Sequence, residues 1–155
     1  MKKTNSNLFK SAMRKFATGV TIISINRSEK YIGKTVNSFA SLSLKPPLIL
    51  FSLDRKSSSL KEYKLSRFIG VNILSHKQKK LSDYFSQKNA SWDNIETFLS
   101  SNNIPLIKNC VTNLDCQKIK NIVAGDHIIF ICKINKLRVD ENKKPLIYFN
   151  SKYKK

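Results

Sequence analysis

Apolar residues at Leu8, Phe9, Ala12, Met13 and Phe16 recur at the three-to-four-residue interval of a helix. Asn5, Ser6 or Asn7 is available to cap its start and Gly19 stands where a stop belongs, so the spacing predicts an amphipathic helix lying across the body of the fold. From Val20 to Asn26 the pattern changes to β-branched residues, followed by the turn-like Arg27, Ser28, Glu29 and Lys30. Tyr31 to Val36 is expected to return as the second strand of a hairpin. Pro46 and Pro47 bar a central strand and force an extended corner before the apolar run Leu48 to Leu53. Ser57, Ser58 and Ser59 precede a short helical pattern at Leu60, Tyr63 and Lys64. One of these serines is expected to cap a helix whose free N–H groups point outward, a setting that attracts anions.

Phe68 to Leu74 reads as a further strand, and Ser75 as the cap of a basic helix with Leu81, Tyr84 and Phe85 on its inner face. Trp92, Ile95, Phe98 and Leu99 suggest another helix before Pro105. Val111 to Ile119 and Ile128 to Leu137 look like long strands, the second beginning at Gly125, Asp126 and His127, and Pro145 to Phe149 closes the set. About six strands joined by hairpins and interrupted by short helices predict a mainly β fold, an antiparallel six-stranded barrel with helical insertions. A doubly wound sheet is the alternative.

Composition narrows this picture. A chain of 155 residues fits a single domain spanning 1–155, large enough to bury roughly 68–70% of its unfolded surface. No repeat or low-complexity run is present, and the apolar stretches are strand-sized, which excludes a spanning helix. The net charge of +19 invites nucleic acid or an anionic membrane as partner. The lysines, however, run from Lys2 to Lys155 with no basic helix or basic-aromatic stripe, and arginine is scarce. A solvated basic coat is therefore expected, with neither nucleic acid nor membrane as partner, and a nucleic-acid-binding protein is kept as a rival. Cys110, Cys116 and Cys132 have no metal-type spacing and suit reduced thiols in a cytoplasmic protein, so no metal is expected. No acid precedes Glu29, which also resembles an organelle presequence.

The stretch from Gly33 to Ser59, GKTVNSFASLSLKPPLILFSLDRKSSS, carries the candidate chemistry. Lys34, Thr35, Asn37, Ser38, Ser41 and Ser43 surround its strands with hydroxyls and amides, as one wall of a site for a polar, phosphorylated ligand would require. The chain contains neither G-x-G-x-x-G nor G-x-x-x-x-G-K-[ST], so a nucleotide would not be held by a Rossmann or Walker loop. A serine elbow, a C-x-x-C and an H-E-x-x-H are likewise missing, leaving hydrolase and metalloenzyme readings without a motif.

Taken in order, AMRKFATGVT from Ala12, GKTVNSF from Gly33, SLKPPL from Ser43, VNIL from Val71 and Gly125-Asp126-His127 resemble the short-chain flavin reductase family. These are the reductase components of two-component flavin monooxygenases, built on an FMN-binding split barrel, and the similarity runs from about Ala12 to Tyr148. The resemblance implies a homodimeric NAD(P)H:flavin oxidoreductase that uses NADH or NADPH to reduce FMN or FAD and supplies reduced flavin to a separate monooxygenase. A non-catalytic FMN-binding module of the same fold is the alternative. By position, Thr35, Val36, Asn37 and Ser38 would line the isoalloxazine and ribityl chain with Lys34 beside them. Ser52, Leu53 and Asp54 would border the ring, Ser57 and Ser58 would meet the phosphate, and His127 would stand beside the nicotinamide as the catalytic histidine. The carboxyl terminus departs from the family pattern, and Tyr153 is the residue there that would cover the site.

Hydride transfer needs mainly positioning and electrostatics from a protein. Hydroxyls and N–H groups at Thr35 to Ser38 suit the ring's polar edge, Lys34 suits an anionic reduced flavin, and Lys56 or Lys61 could add charge near the phosphate. Structural readings stand beside these: Asn37 and His127 as turn residues, Ser57 to Ser59 as a cap and nothing more, Asn72 as a buried structural hydrogen-bonder, and Tyr84, Phe85 and Trp92 as core.

Overall fold

In the computed structural model, which describes residues 3–88 and 90–154, β-branched runs make the frame. Strand β2 (Thr21–Arg27) follows the two-residue β1 (Thr18–Gly19) and turns through Ser28 and Glu29 into β3 (Lys30–Val36). Both turn residues hold positive φ, 50° and 66°, the geometry of the tight hairpin whose twist matches that of its strands. After β4 (Ala40–Ser43) and the proline corner come β5 (Leu48–Asp54), β6 (Phe68–Ile73), β9 (Thr112–Ala124) and β10 (His127–Val139). Between β6 and β9 lie the short strands β7 (Thr97–Leu99) and β8 (Pro105–Ile107).

The main sheet has the order β3-β2-β6-β9-β10-β5-β4, antiparallel throughout. Six of its strands are long and β4 is a short edge, in keeping with the expected six-stranded barrel. The sheet curls until β3 comes back alongside β5, but the two are not strand partners. A side chain stitches this seam: the Ser38 hydroxyl donates to Ser52 O at 2.8 Å and accepts from Ser52 N at 3.1 Å. The barrel is thus split, closed at that point by a serine in place of a strand ladder.

Because β2 is buried on both faces, it divides two cores. Ile23 and Ile25 pack inside the barrel with Phe51, Phe130 and Tyr63. Phe51 and Phe130 stack at 4.9 Å, and Tyr63, from α2 (Leu60–Leu65), donates its hydroxyl to Ile23 O at 2.7 Å. Ile22 faces the other way, into a cluster with Leu74, Phe85, Ile107 and Leu146 beneath α3 (Lys79–Ser86). Asn72 is structural, as expected: its amide reaches Ile22 O and Ser24 Oγ, and its oxygen accepts from Ile107 N and Asn113 Nδ2.

Several expectations are corrected. Helix α1 (Ser6–Met13) is capped by Asn5, whose Oδ1 accepts from Leu8 N at 2.9 Å, but it ends at Arg14; Gly19 is a strand residue paired with Ile147. Nor does α1 lie across the barrel in this chain, since it buries no residue and Phe9 remains 56% exposed. The helix expected at Trp92 to Leu99 is a hairpin instead, with β7 paired to β8. Thr97, Phe98 and Leu99 favour a pleated surface, and Asn103 at φ 57° turns the chain back. Ser75 does open a helical segment through a capping box with Gln78, but its first turn is a 3₁₀ helix, His76–Gln78, that leads into α3. Beyond β11 (Ile147–Phe149) a last strand, β12 (Lys152–Lys154), was not anticipated; it pairs with β11, which pairs with β1, making a second sheet of three strands.

Candidate functional site

The end of β3 is held by α3. Gly33 lets the strand pass close beneath the helix, since a Cβ there would sit 2.7 Å from the Phe85 ring and 2.8 Å from Trp92. Lys34 Nζ donates to Ser86 O at 3.0 Å and Thr35 Oγ1 to Ser82 O at 2.8 Å, so both side chains turn to carbonyls of α3. A helix end leaves carbonyls without intrahelical partners, and Ser86 O is one of them.

Two cavities open on either side of this stretch. The first, a cleft of about 480 Å³, is walled by Thr35, Val36 and Asn37 on one side and by Ser82, Asp83 and Ser86 of α3 on another, with Tyr148 and Tyr153 contributed by the second sheet. Tyr153 is anchored there: its hydroxyl donates to Asp83 Oδ1 at 2.8 Å and lies 2.9 Å from Ser82 Oγ. Its ring meets Tyr148 edge-on at 5.3 Å, and burial raises its phenol above the ordinary value. The second cavity, a groove of about 680 Å³, runs from Glu29 through Gly33 and Lys34 to Ser58, Ser59 and Glu62, with Trp92 and its neighbours opposite. The Trp92 indole packs on Phe85 at 4.9 Å and meets Tyr31 edge-on at 6.0 Å. Its N–H is buried without a partner among the described residues, a donor that a ligand or water could satisfy.

Four of the remaining expected residues fall into two pairs. Ser38 and Ser52 meet at the seam, while Asp54 and His127 are facing partners on β5 and β10. His127 Nδ1 lies 2.7 Å from Asp126 Oδ1, and that contact holds the exposed Asp126 carboxyl below its usual range. Asp54 accepts from Lys56 N at 2.7 Å, closing the turn toward Ser57. Leu53 points into the barrel core and lines neither cavity. The expected serine cap is not made: Ser59 occupies the N-cap of α2 without a side-chain bond to it, and its hydroxyl lies 3.3 Å from that of Ser57. Ser58 is exposed on the groove.

Residue-by-residue reading missed Ser82, Asp83, Ser86 and Tyr148. All four lie outside the Gly33 to Ser59 stretch; Ser82 is buried on the same face of α3 as Phe85, where a polar residue at an inward position was the one signal available, while Asp83 and Ser86 are exposed beside it. Trp92 is half-buried, part of the outer core and part of the groove wall at once.

Against known proteins, the chain matches the flavin reductase like domain over residues 13–155. The chain belongs to this family. It is 33% identical over 130 residues to FMN reductase (NADH) SmoA of Agrobacterium fabrum, covering 84% of this chain and 75% of SmoA. It is 31% identical over 148 residues to HsaB of Mycobacterium tuberculosis, described as the reductase subunit of a flavin-dependent monooxygenase, covering 94% of this chain and 79% of HsaB. Among solved structures, flavin reductase PheA2 superposes with a TM-score of 0.90 at 35% identity, covering 97% of both chains. The split-barrel architecture of the flavin reductases is therefore that of this chain.

Proposed function

We propose that this protein is an NADH-dependent flavin reductase that transfers hydride to FMN or FAD and supplies reduced flavin to a separate monooxygenase. The observation that carries the reading is that one short stretch, Gly33 to Asn37, walls both cavities, in a chain of this family. A ring edge and a phosphate arm could each be served from it.

The residues present fit a flavin. Asn37 is exposed at the mouth of the cleft and its amide makes no hydrogen bond among the described residues, leaving a donor and an acceptor for the polar edge of a ring. The orphan Trp92 N–H and the exposed Ser58 hydroxyl offer two donors along the groove. Lys34 spends one N–H on Ser86 O, and an ammonium has two more for an anion. A bound flavin supplies the hydride-accepting and electron-releasing ring; this chain supplies position, shelter and charge. Tyr153, fixed by Asp83, shields the cleft and restricts how deeply water enters. His127, held by Asp126, has a second ring nitrogen with no hydrogen bond among the described residues, available to the carboxamide of a nicotinamide.

Two further parts of the reading concern the whole protein. Leu8, Phe9, Met13 and Phe16 at the amino end, Leu42 and Leu44 at the proline corner, and Ile119 and Val123 on β9 are all exposed apolar residues, which supports a homodimer that covers them. All three cysteines are buried and free, which supports a reducing compartment, with the cytoplasm as the proposed location. Among the described residues no helix is long and apolar enough to cross a membrane.

The test is direct. Purified protein should oxidise NADH only when FMN or FAD is supplied; tight yellow copurification without NADH oxidation would replace the reductase with a flavin-holding module. Sedimentation should give twice the chain mass of 17.8 kDa, and Phe9→Glu with Met13→Glu should return a monomer. A monomeric native protein would remove the dimer.

A further inference from the structure

A third cavity, of about 610 Å³, lies at the start of α3, away from Gly33 to Asn37. Its floor is hydrocarbon: Leu81, Ile95 and the buried Ile107. Its rim is cationic, with Lys77, Lys108 and Lys143 beside the His76 ring and against a single carboxylate, Glu96, among the described lining residues. Asp140 pairs with Lys143, but Lys77 and Lys108 form no ion pair among the described residues. The walls are already braced. Gln78 Nε2 donates to Lys108 O at 2.8 Å, Lys108 N to Glu96 O at 2.9 Å, and His76 N to Lys144 O at 2.9 Å.

An apolar floor under a rim of unpaired ammonium groups selects its ligand by contrast. Inorganic phosphate would satisfy the rim and leave the floor unused, whereas a neutral hydrocarbon would fill the floor and gain nothing from the lysines. The volume is that of ordinary small-molecule sites, mostly apolar with a few convergent polar groups. We infer that this pocket binds a small amphipathic monoanion, an aryl or short-chain alkyl carboxylate, with its hydrocarbon body on Leu81, Ile95 and Ile107 and its carboxylate at the Lys77 and Lys108 rim. The site is separate from the flavin reading and does not rest on it. Leu81 lines this pocket while Ser82, Asp83 and Ser86 line the cleft, so α3 is the partition between them.

Isothermal titration of the full chain with benzoate tests the assignment, with benzyl alcohol and acetate as the neutral and bodiless controls. Benzoate is expected to bind at least tenfold more tightly than either. In the double variant Lys77→Gln, Lys108→Gln its affinity should fall at least tenfold. In Lys120→Gln, Lys133→Gln, which removes the same charge from exposed positions on β9 and β10, it should be unchanged. All four lysines are exposed, and circular dichroism checks that both variants fold. Four results would each overturn the inference: no benzoate binding, equal losses in the two double variants, inorganic phosphate binding as tightly as benzoate, or displacement of benzoate by FMN or NADH.

Discussion

Asn37 carries the clearest prediction at the residue scale. Its side chain is exposed and unbonded, so Asn37→Ala removes only what it would give a ligand: flavin affinity should fall roughly tenfold, the worth of about one hydrogen bond, with thermal stability unchanged. Unchanged affinity by fluorescence titration would take Asn37 out of the site. Asp126 gives a second, in pH. Its folded carboxyl is held low by the His127 contact, so that contribution is present above the ordinary carboxylate range and fades as pH falls through the lowered value. In His127→Ala, NMR titration of Asp126 should move upward toward an ordinary carboxyl; no movement would show that His127 is not the cause. Individual residues were legible where their surroundings are local. Asn72, an amide within an apolar strand, could be read as a structural hydrogen-bonder. Lys34 and Thr35 could not be read in full, because the carbonyls they bond belong to α3, some fifty residues later in the chain.

At the scale of elements, the seam between β3 and β5 depends on Ser38. Ser38→Ala deletes both bonds to Ser52 and leaves partly buried backbone groups short of partners, which should cost about 1 kcal/mol in urea denaturation while the barrel strands persist. A neutral substitution would mean that water substitutes freely at the seam. Long β-branched strands and the turn at Ser28 and Glu29 were legible because period and turn chemistry agree there. The hairpin of β7 and β8 was not, since Trp92, Ile95, Phe98 and Leu99 satisfy helical spacing while Thr97, Phe98 and Leu99 also satisfy a strand; pairing with Pro105 to Ile107 decides between them. Helix α1 shows the complementary case. Its amphipathic phase was readable, but its apolar face is not buried against this chain's own barrel among the described residues.

The whole molecule carries a charge of +19, and its substrates in the proposed reaction are anions. The KM for NADH should therefore rise with added salt while kcat changes less, because screening weakens attraction before it touches the aligned complex. A KM indifferent to salt between 20 mM and 200 mM, roughly the range over which the Debye length shrinks from about 20 to about 7 Å, would show that the coat plays no part in capture. The fold class was legible at this scale, as was the family, while the division into cleft, groove and pocket was not, because each is bounded by segments remote in sequence. The second sheet makes this concrete. Its middle strand β11 joins Thr18 and Gly19 to Tyr153, and Asn150 N also donates to Arg14 O. Every other wall of the cleft leaves the ribosome before Tyr153 does. A chain whose barrel strands have all paired therefore still lacks one wall of the cleft until β11 and β12 dock back onto Thr18 and Gly19.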